Sequence, residues 1–578
     1  MSLSLRYLLL LHCLSLVACT GMPMQRTKPA PPPVAAPMPE VVAPATAAGD
    51  ADLSGDLLFD ILLGEVAGQR QQLDVSVESY RRAAELSDDP RLAERALRIA
   101  LFAKDEEAAL TASRRWVELE PERLEARQSL AVLALHAGIS DEALEQLDYL
   151  LANADNEAVA YQSITALLAR SEDRELALTL IAQLAQQHPD SVQAHLAYSR
   201  LAMHAEKSDV ALQEVERALV LQPNLSEALV LRAGVRVKSG QAELAEQELR
   251  TALTVLPKDV ELHLALARLL LDQQDLQGAT EEFKQVVKQR PDHADALYSL
   301  GLLALEQQQL RSAEKYFTKL LELGQREQES RYYLGRVQEK KGDPEAALGW
   351  YGQVTEGDYW LEAQTRAAGL RADAGDLNGA RRQLQSLRMR EPRLAMRLIL
   401  VEGEILTQAG ELQQAMDLYN QILAEQPGNH DVMYARALLA ERLGNLELAE
   451  SDLRAVVAED PNNFHAWNAL GYTLADHADR LPEALAYIQK AIALAPDEPA
   501  IVDSLGWVYY RMGNLDEAEL QLQRAYELSQ GDAEVTAHYG EVLWQQGKQK
   551  EARALWEKAS KADPKNQVLQ KTMQRFLK

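Results

Sequence analysis

Apolar and polar positions along this chain repeat in blocks of about 34 residues. Small residues mark each block: Ser76, Ala109, Ala143, Ala177, Ala211, Ala245, Ala279, Ala313, Ala347, Ala380, Ala415, Ala449, Ala484, Ala518 and Ala552, spaced 33 to 35 apart. Apolar residues follow each marker at +4 and +7, as in Ala313–Phe317–Leu320 and Ala347–Tyr351–Val354. That spacing lays one apolar stripe along a helix. Twelve residues before the marker sits a second small residue, such as Ala131, Ser199, Ala267, Gly301, Gly335, Gly403 or Gly540. Leu97 breaks this rule, and Gly471 comes one residue early because its unit carries an insertion. Two small residues at this separation let two helices approach closely, so each block predicts a helix pair. Glycine often closes the first helix five residues before the marker (Gly138, Gly240, Gly342, Gly375, Gly410, Gly444, Gly513, Gly547), where a left-handed backbone ends a helix. Proline often closes the block twelve residues after the marker, as at Pro121, Pro189, Pro257, Pro291, Pro461 and Pro496, because it cannot continue a helix. A period of this length sustained through the chain predicts an all-α solenoid of about fifteen helix pairs.

These residues resemble the tetratricopeptide repeat (TPR) family. The fullest match is Trp467, Leu470, Gly471, Leu474, Ala484, Ala491 and Pro496; the next unit supplies Leu505, Gly506, Tyr509, Ala518 and Ala525. The resemblance covers roughly residues 55 to 565 and implies helix-turn-helix repeats wound into a right-handed superhelix. The first two units lack the family's tryptophan. The unit ends near Gln325 and Tyr359 lack proline, so altered stacking is expected between 325 and 361.

The two ends differ from the array. Arg6 precedes an apolar run, Tyr7 to Leu11, continuing to Leu16-Val17-Ala18-Cys19. The run is too short for a permanent span and reads as an export signal, residues 1–18. Its last four residues resemble the bacterial lipobox, which implies that Cys19 is acylated and becomes the first mature residue. Cys13 would then be lost, and the fold would rest on helix packing alone. Thr20, where sorting to the inner membrane uses aspartate, points to the outer membrane by the same resemblance. Residues 19–52 read as a tether in which eight prolines between Pro23 and Pro44 alternate with alanine and valine. Such a segment stays extended and could reach ~90 Å from a bilayer. Residues 53–564 form the expected solenoid. Its opening stretch, 53–67, is more apolar than one helix face needs, and reads either as a core helix of the first unit or as a helix that docks on a partner. Residues 565–578 read as a capping helix.

A net charge of −27 repels phosphate backbones and disfavours nucleic-acid binding. No HExxH, P-loop, GxGxxG or GxSxG motif occurs, and His465 and His477 lack a further ligand at metal spacing. No metal, cofactor or enzymatic activity is expected. A hydrolase or transferase with an unrecognised site stays open.

By the resemblance, first-helix positions two, five, nine, twelve and thirteen of each unit line a concave, partner-binding face. They include Tyr298, Tyr332, Tyr434, Asn468, Tyr472, Asp503, Trp507, Tyr510, Arg511 and Trp544. Aromatic and arginine side chains commonly anchor interfaces, though each could instead pack on the neighbouring repeat. Replacing Trp507 and Trp544 by alanine is expected to weaken binding without unfolding. The family's two-carboxylate clamp is not reproduced. The chain as a whole resembles the lipid-anchored periplasmic adaptors of carboxyl-terminal processing proteases. That resemblance implies two protein partners, the protease and the peptidoglycan cross-link hydrolases it degrades, and a place on the periplasmic face of the outer membrane. A scaffold for secretion, pilus or polysaccharide machinery is the alternative.

Overall fold

The computed structural model describes residues 54–477, 480–564 and 566–577. The export signal, Cys19 and the tether lie outside the described residues. Among the described residues there are thirty-one α-helices, one 3-10 turn (Pro392–Leu394) and no strand. The chain falls into two units, residues 1–325 and 326–578. In the first, sixteen helices from Gly55–Gln69 to Leu310–Glu322 form eight consecutive pairs. In the second, seven pairs from Glu327–Lys341 to Gln549–Ala562 are followed by one last helix, Gln567–Phe576.

Each pair is set by reciprocal size at two positions sixteen residues apart, seventeen in the unit with the insertion. A Cβ added to Gly64 or Gly301 would lie 2.7 Å from the ring of Tyr80 or Phe317. Gly335, Gly403 and Gly540 face Tyr351, Tyr419 and Trp556 in the same way. Where the first residue is alanine, the second is Leu147, Leu249, Leu384 or Leu453, with Phe283 the one ring. Leu97 fits the same rule in reverse: its partner position holds Ser113, and both are buried. The markers Ala109, Ala143, Ala211, Ala279 and Ala313 are fully buried.

The first helix of thirteen pairs ends on a left-handed residue, glycine at Gly138, Gly240, Gly342, Gly375, Gly410, Gly444, Gly513 and Gly547; helix Glu157–Leu168 ends without one. Gln71, Lys104, Glu206, Gln274 and Gln308 occupy the same place with φ between 58° and 65°. The following amide closes the turn in each case, as where Gln309 donates to the Ala304 carbonyl at 2.7 Å. A side chain in this conformation costs about 1 kcal/mol that glycine avoids. Gln274→Gly and Gln308→Gly are therefore each expected to raise stability by ~0.5–1 kcal/mol in urea unfolding; a loss would show that their side chains hold the turn.

Between pairs, proline opens a short turn and a capping side chain starts the next helix. Asp259 accepts from the Leu262 amide at 2.9 Å, and Asn463 from Ala466 at 3.0 Å. A second tie spans this turn. The Trp467 indole donates to the Pro461 carbonyl at 2.9 Å. At the matching position of other repeats, Arg127 donates to Pro121 at 2.7 Å, and His195 and His263 lie 3.0 and 3.2 Å from Pro189 and Pro257. These three repeats thus keep the polar tie without tryptophan, whereas Leu229, Leu297, Met433 and Val502 at the same position cannot make it.

Departures from the pattern fall where the prolines are missing. Gly324 and Arg326 both take left-handed conformations. Helix Pro344–Tyr351 is only 8 residues long, where its counterparts have 13 or 14, and residues 352–359 follow without regular structure. Tyr359 returns to stack on Tyr332 at 4.6 Å between centroids, and its hydroxyl accepts from Tyr333 at 3.0 Å. With Tyr351, whose ring lies 6.0 Å from that of Tyr332, these residues form a four-tyrosine cluster beside the shortened helix.

The two ends are finished differently. Helix Gly55–Gln69 packs on Leu73–Glu85 through Leu57, Gly64 and Ala67, so it is the first helix of the first pair. Its other side leaves Leu58, Phe59, Leu62 and Val66 exposed at 46, 62, 56 and 43 %. Phe59 and Val66 correspond by register to Ala296 and Leu303, which are buried in the later repeat. At the other end, helix Gln567–Phe576 covers the last pair with Leu569 and Phe576.

Candidate functional site

Three consecutive first helices of the second unit, Phe464–His477, Pro499–Arg511 and Ala533–Gln545, present one continuous polar and aromatic face. Its residues join across repeats. The Trp507 indole donates to Asp476 Oδ1 at 3.1 Å. Arg511 donates to the Asp476 carbonyl at 3.0 Å and lies 3.3 Å from its Oδ1. His538 Nδ1 meets Asp503 Oδ2 at 2.8 Å, and its ring lies 4.4 Å from that of Trp507. The Tyr510 hydroxyl donates to Glu541 Oε1 at 2.9 Å, and Arg575 pairs with the other oxygen of Glu541. Tyr510 also packs on Trp507, with centroids 5.1 Å apart. Asp503 and Trp507 are themselves only 6 and 9 % exposed.

Burial and charge set the protonation states here. Burial holds the Tyr472 hydroxyl well above the tyrosine range, reinforced by Asp476, Asp503, Glu534 and Glu441. Burial, together with Glu541, pushes Tyr510 to about 12. Glu534 keeps an exposed side chain, yet desolvation by the groups packed around it raises its carboxyl and outweighs the opposing charge of His538. For His538, burial is the largest influence and opposes the charged form, yet Asp503, Glu534 and Glu541 together hold it above the ordinary histidine range. A group raised in the folded state contributes stability that is complete below the unfolded value, about 6.5, and is lost as pH rises through the folded value. The melting temperature of the second unit is therefore expected to fall as pH rises above about 6.5, with a shallower slope in His538→Gln. An equal slope in both would place the titration elsewhere.

The ten residues expected on the partner face do not form one patch. Tyr298 lies in the first unit, buried edge-on against Phe317 at 6.2 Å. Tyr332 is buried in the tyrosine cluster, donating to Glu362 at 2.5 Å and accepting from Arg336 at 3.0 Å. Tyr434 is half-buried against the core of the Phe464–Leu494 pair. Asn468, Tyr472, Asp503, Trp507, Tyr510 and Arg511 share the face just described. Trp544 joins the capping cluster instead, stacked on Trp556 at 5.7 Å and beside Phe576 at 5.8 Å. Trp507 and Trp544 both carry packing, so replacing them by alanine would disturb the fold, contrary to the expectation from sequence.

Asp476, Glu534, His538, Glu541 and Arg575 were not singled out from sequence. A signal existed: Asp476 and Arg511 occupy the same register position in neighbouring repeats. Pairs such as Trp507–Asp476 and Tyr510–Glu541 are 31 residues apart. Among the described residues, no group of three or more His, Cys, Asp or Glu is arranged to hold a metal ion, and no helix is long and apolar enough to cross a membrane. Phe464 packs on His465 at 4.2 Å, and His477 pairs with Glu441 at 3.2 Å.

Stacked helix pairs joined by short turns define an α-solenoid, whose long surface serves to hold other proteins. The family model described as tetratricopeptide repeat matches residues 167–226, 230–294, 264–310, 298–357, 365–430, 434–499 and 504–566. This chain belongs to the tetratricopeptide repeat family, and its repeats make it a protein–protein interaction scaffold. It is 37 % identical over 488 residues to the TPR repeat-containing protein PA4667 of Pseudomonas aeruginosa, covering 84 % of this chain and 82 % of that protein. It is 24 % identical over 180 residues to the human protein O-mannosyl-transferase TMTC1, covering 30 % of this chain and 20 % of that protein. The solved Cut9–Hcn1 assembly of the APC/C aligns over 91 % of this chain and 97 % of that one, at 15 % identity and a TM-score of 0.32.

Proposed function

We propose that this protein is a lipid-anchored periplasmic adaptor that brings a carboxyl-terminal processing protease together with peptidoglycan cross-link hydrolases and so promotes their degradation. The observation that carries the reading is the joining of Leu16-Val17-Ala18-Cys19 and a proline-rich tether to a long array of helix pairs. An acylated Cys19 moors the array to the outer membrane, and the tether sets its reach. Two partners held on one array meet at the effective concentration fixed by the array, so proteolysis speeds up without any chemistry by the scaffold itself.

A pull-down with the full-length protein from envelope extract is expected to recover a serine protease of the processing class together with wall hydrolases. Recovery of secretion, pilus or polysaccharide subunits in their place would sink the adaptor reading. Cys19→Ser is expected to move the protein from the membrane pellet to the soluble fraction. A variant that still sediments would place the anchor elsewhere.

A further inference from the structure

Asn468 and Asp503 are each the fifth residue of their helices, Phe464–His477 and Pro499–Arg511, in adjacent repeats. Each carries a buried oxygen that has no hydrogen-bond donor, Asn468 Oδ1 and Asp503 Oδ1. The other oxygen of Asp503 is engaged by His538 at 2.8 Å. Orphaned acceptors are costly in a protein interior. Two of them at one register position call for a ligand that donates hydrogen bonds.

The surroundings select the charge of that ligand. The charges that bear most on Tyr472, four residues along from Asn468, are the carboxylates Asp476, Asp503, Glu534 and Glu441. Asp476 is already answered by Arg511, and Glu441 by His477. Glu534 has no such direct partner: its opposing charges, His538 and Arg442, act at longer range, and its side chain is exposed. The half-buried ring of Tyr472, one helical turn along from Asn468, offers a cation an aromatic neighbour. A divalent metal ion does not fit, because calcium takes six to eight oxygen ligands and no such cluster is present among the described residues.

We propose that this face binds an arginine side chain from an extended segment of a protein partner, with the guanidinium donating to Asn468 and Asp503 beside Tyr472. The guanidinium has five donors and no acceptor, so it can answer more than one orphaned oxygen. Asn468 and Tyr472 are half-buried, and Asp503 is buried. The inference rests on the reading of the chain as a protein-binding scaffold and adds the chemistry that its second unit selects.

The test uses the full-length protein and a blocked seven-residue peptide carrying two arginines among alanines. The control is the same peptide with citrulline, the neutral isostere, in place of arginine. Titration calorimetry is expected to show at least tenfold tighter binding of the arginine peptide, weakening in 0.5 M salt. Asn468→Asp, which adds a negative charge, is expected to tighten binding severalfold. Asn468→Leu is expected to weaken it at least tenfold with an unchanged melting temperature. Spermidine should compete at least tenfold less well than the peptide, since it lacks the planar fork. Equal binding of the arginine and citrulline peptides, no binding of either, or weaker binding by Asn468→Asp would overturn the proposal. The last result would mean that the Asn468 amide serves Asp503 internally. None of these failures bears on the protease pull-down, which reads the adaptor role independently.

Discussion

Gly301→Leu should cost the first unit about 3 kcal/mol, although glycine is the poorest ordinary helix former. Moving from glycine to leucine in a helix interior returns ~0.8 kcal/mol of propensity. Steric crowding outweighs it. The added Cβ alone would sit 2.7 Å from two atoms of the Phe317 ring, and that ring is fully buried, so it has no free space to turn into. Overpacking of this kind costs ~1–3 kcal/mol and occasionally more. Phe317→Ala should by itself cost ~4 kcal/mol through the cavity it leaves. Together the two should cost about 2 kcal/mol less than their sum, because the leucine fills the space the ring vacates. Urea unfolding of the four proteins measures this coupling. Strict additivity would mean that the pair does not set the approach of its two helices.

Removing residues 567–578 should have the second large effect, confined to the last pairs. Leu569 is buried on the final pair, and Phe576 stacks on Trp556 at 5.7 Å. Uncovering these apolar groups forfeits roughly 2 kcal/mol for each of the two side chains lost. In a solenoid, repeats are held mainly by their neighbours, so the loss stays local. Hydrogen exchange across residues 533–562 should accelerate by up to about a thousandfold, while residues 55–322 keep their protection. Acceleration throughout the chain would show that stability is shared globally.

The repeat architecture was legible because one steric rule is written fifteen times. Marker alanines, terminal glycines and turn prolines each have a local cause that needs no knowledge of the rest of the fold. Even the Leu97 exception is explained by its counterpart Ser113, once positions sixteen apart are compared. The family tryptophan misled in part. The hydrogen bond its indole makes at Trp467 is also made by an arginine and by histidines, and a sequence pattern written in residue types does not see that equivalence. The tyrosine cluster could not be foreseen. It depends on Tyr359 turning back across a helix that stops at Tyr351, and only missing prolines hinted at it. The candidate site was half legible. Register placed Asn468, Tyr472, Asp503, Trp507, Tyr510 and Arg511 together, but it could not tell a residue facing a partner from one packed beneath its neighbours. Trp544 was misjudged for that reason: the helix that covers it comes from the far end of the sequence. His538 was missed because its partner, Asp503, belongs to the preceding repeat.

The unequal ends of the array have a consequence for anyone who would lengthen it. Phe59 and Val66 already present the surface on which one more hairpin would sit, so an extra repeat spliced in ahead of Gly55 should find a ready-made seat. Growth at the opposite terminus would first have to evict Leu569 and Phe576. Modular extension of this scaffold is thus a one-way operation.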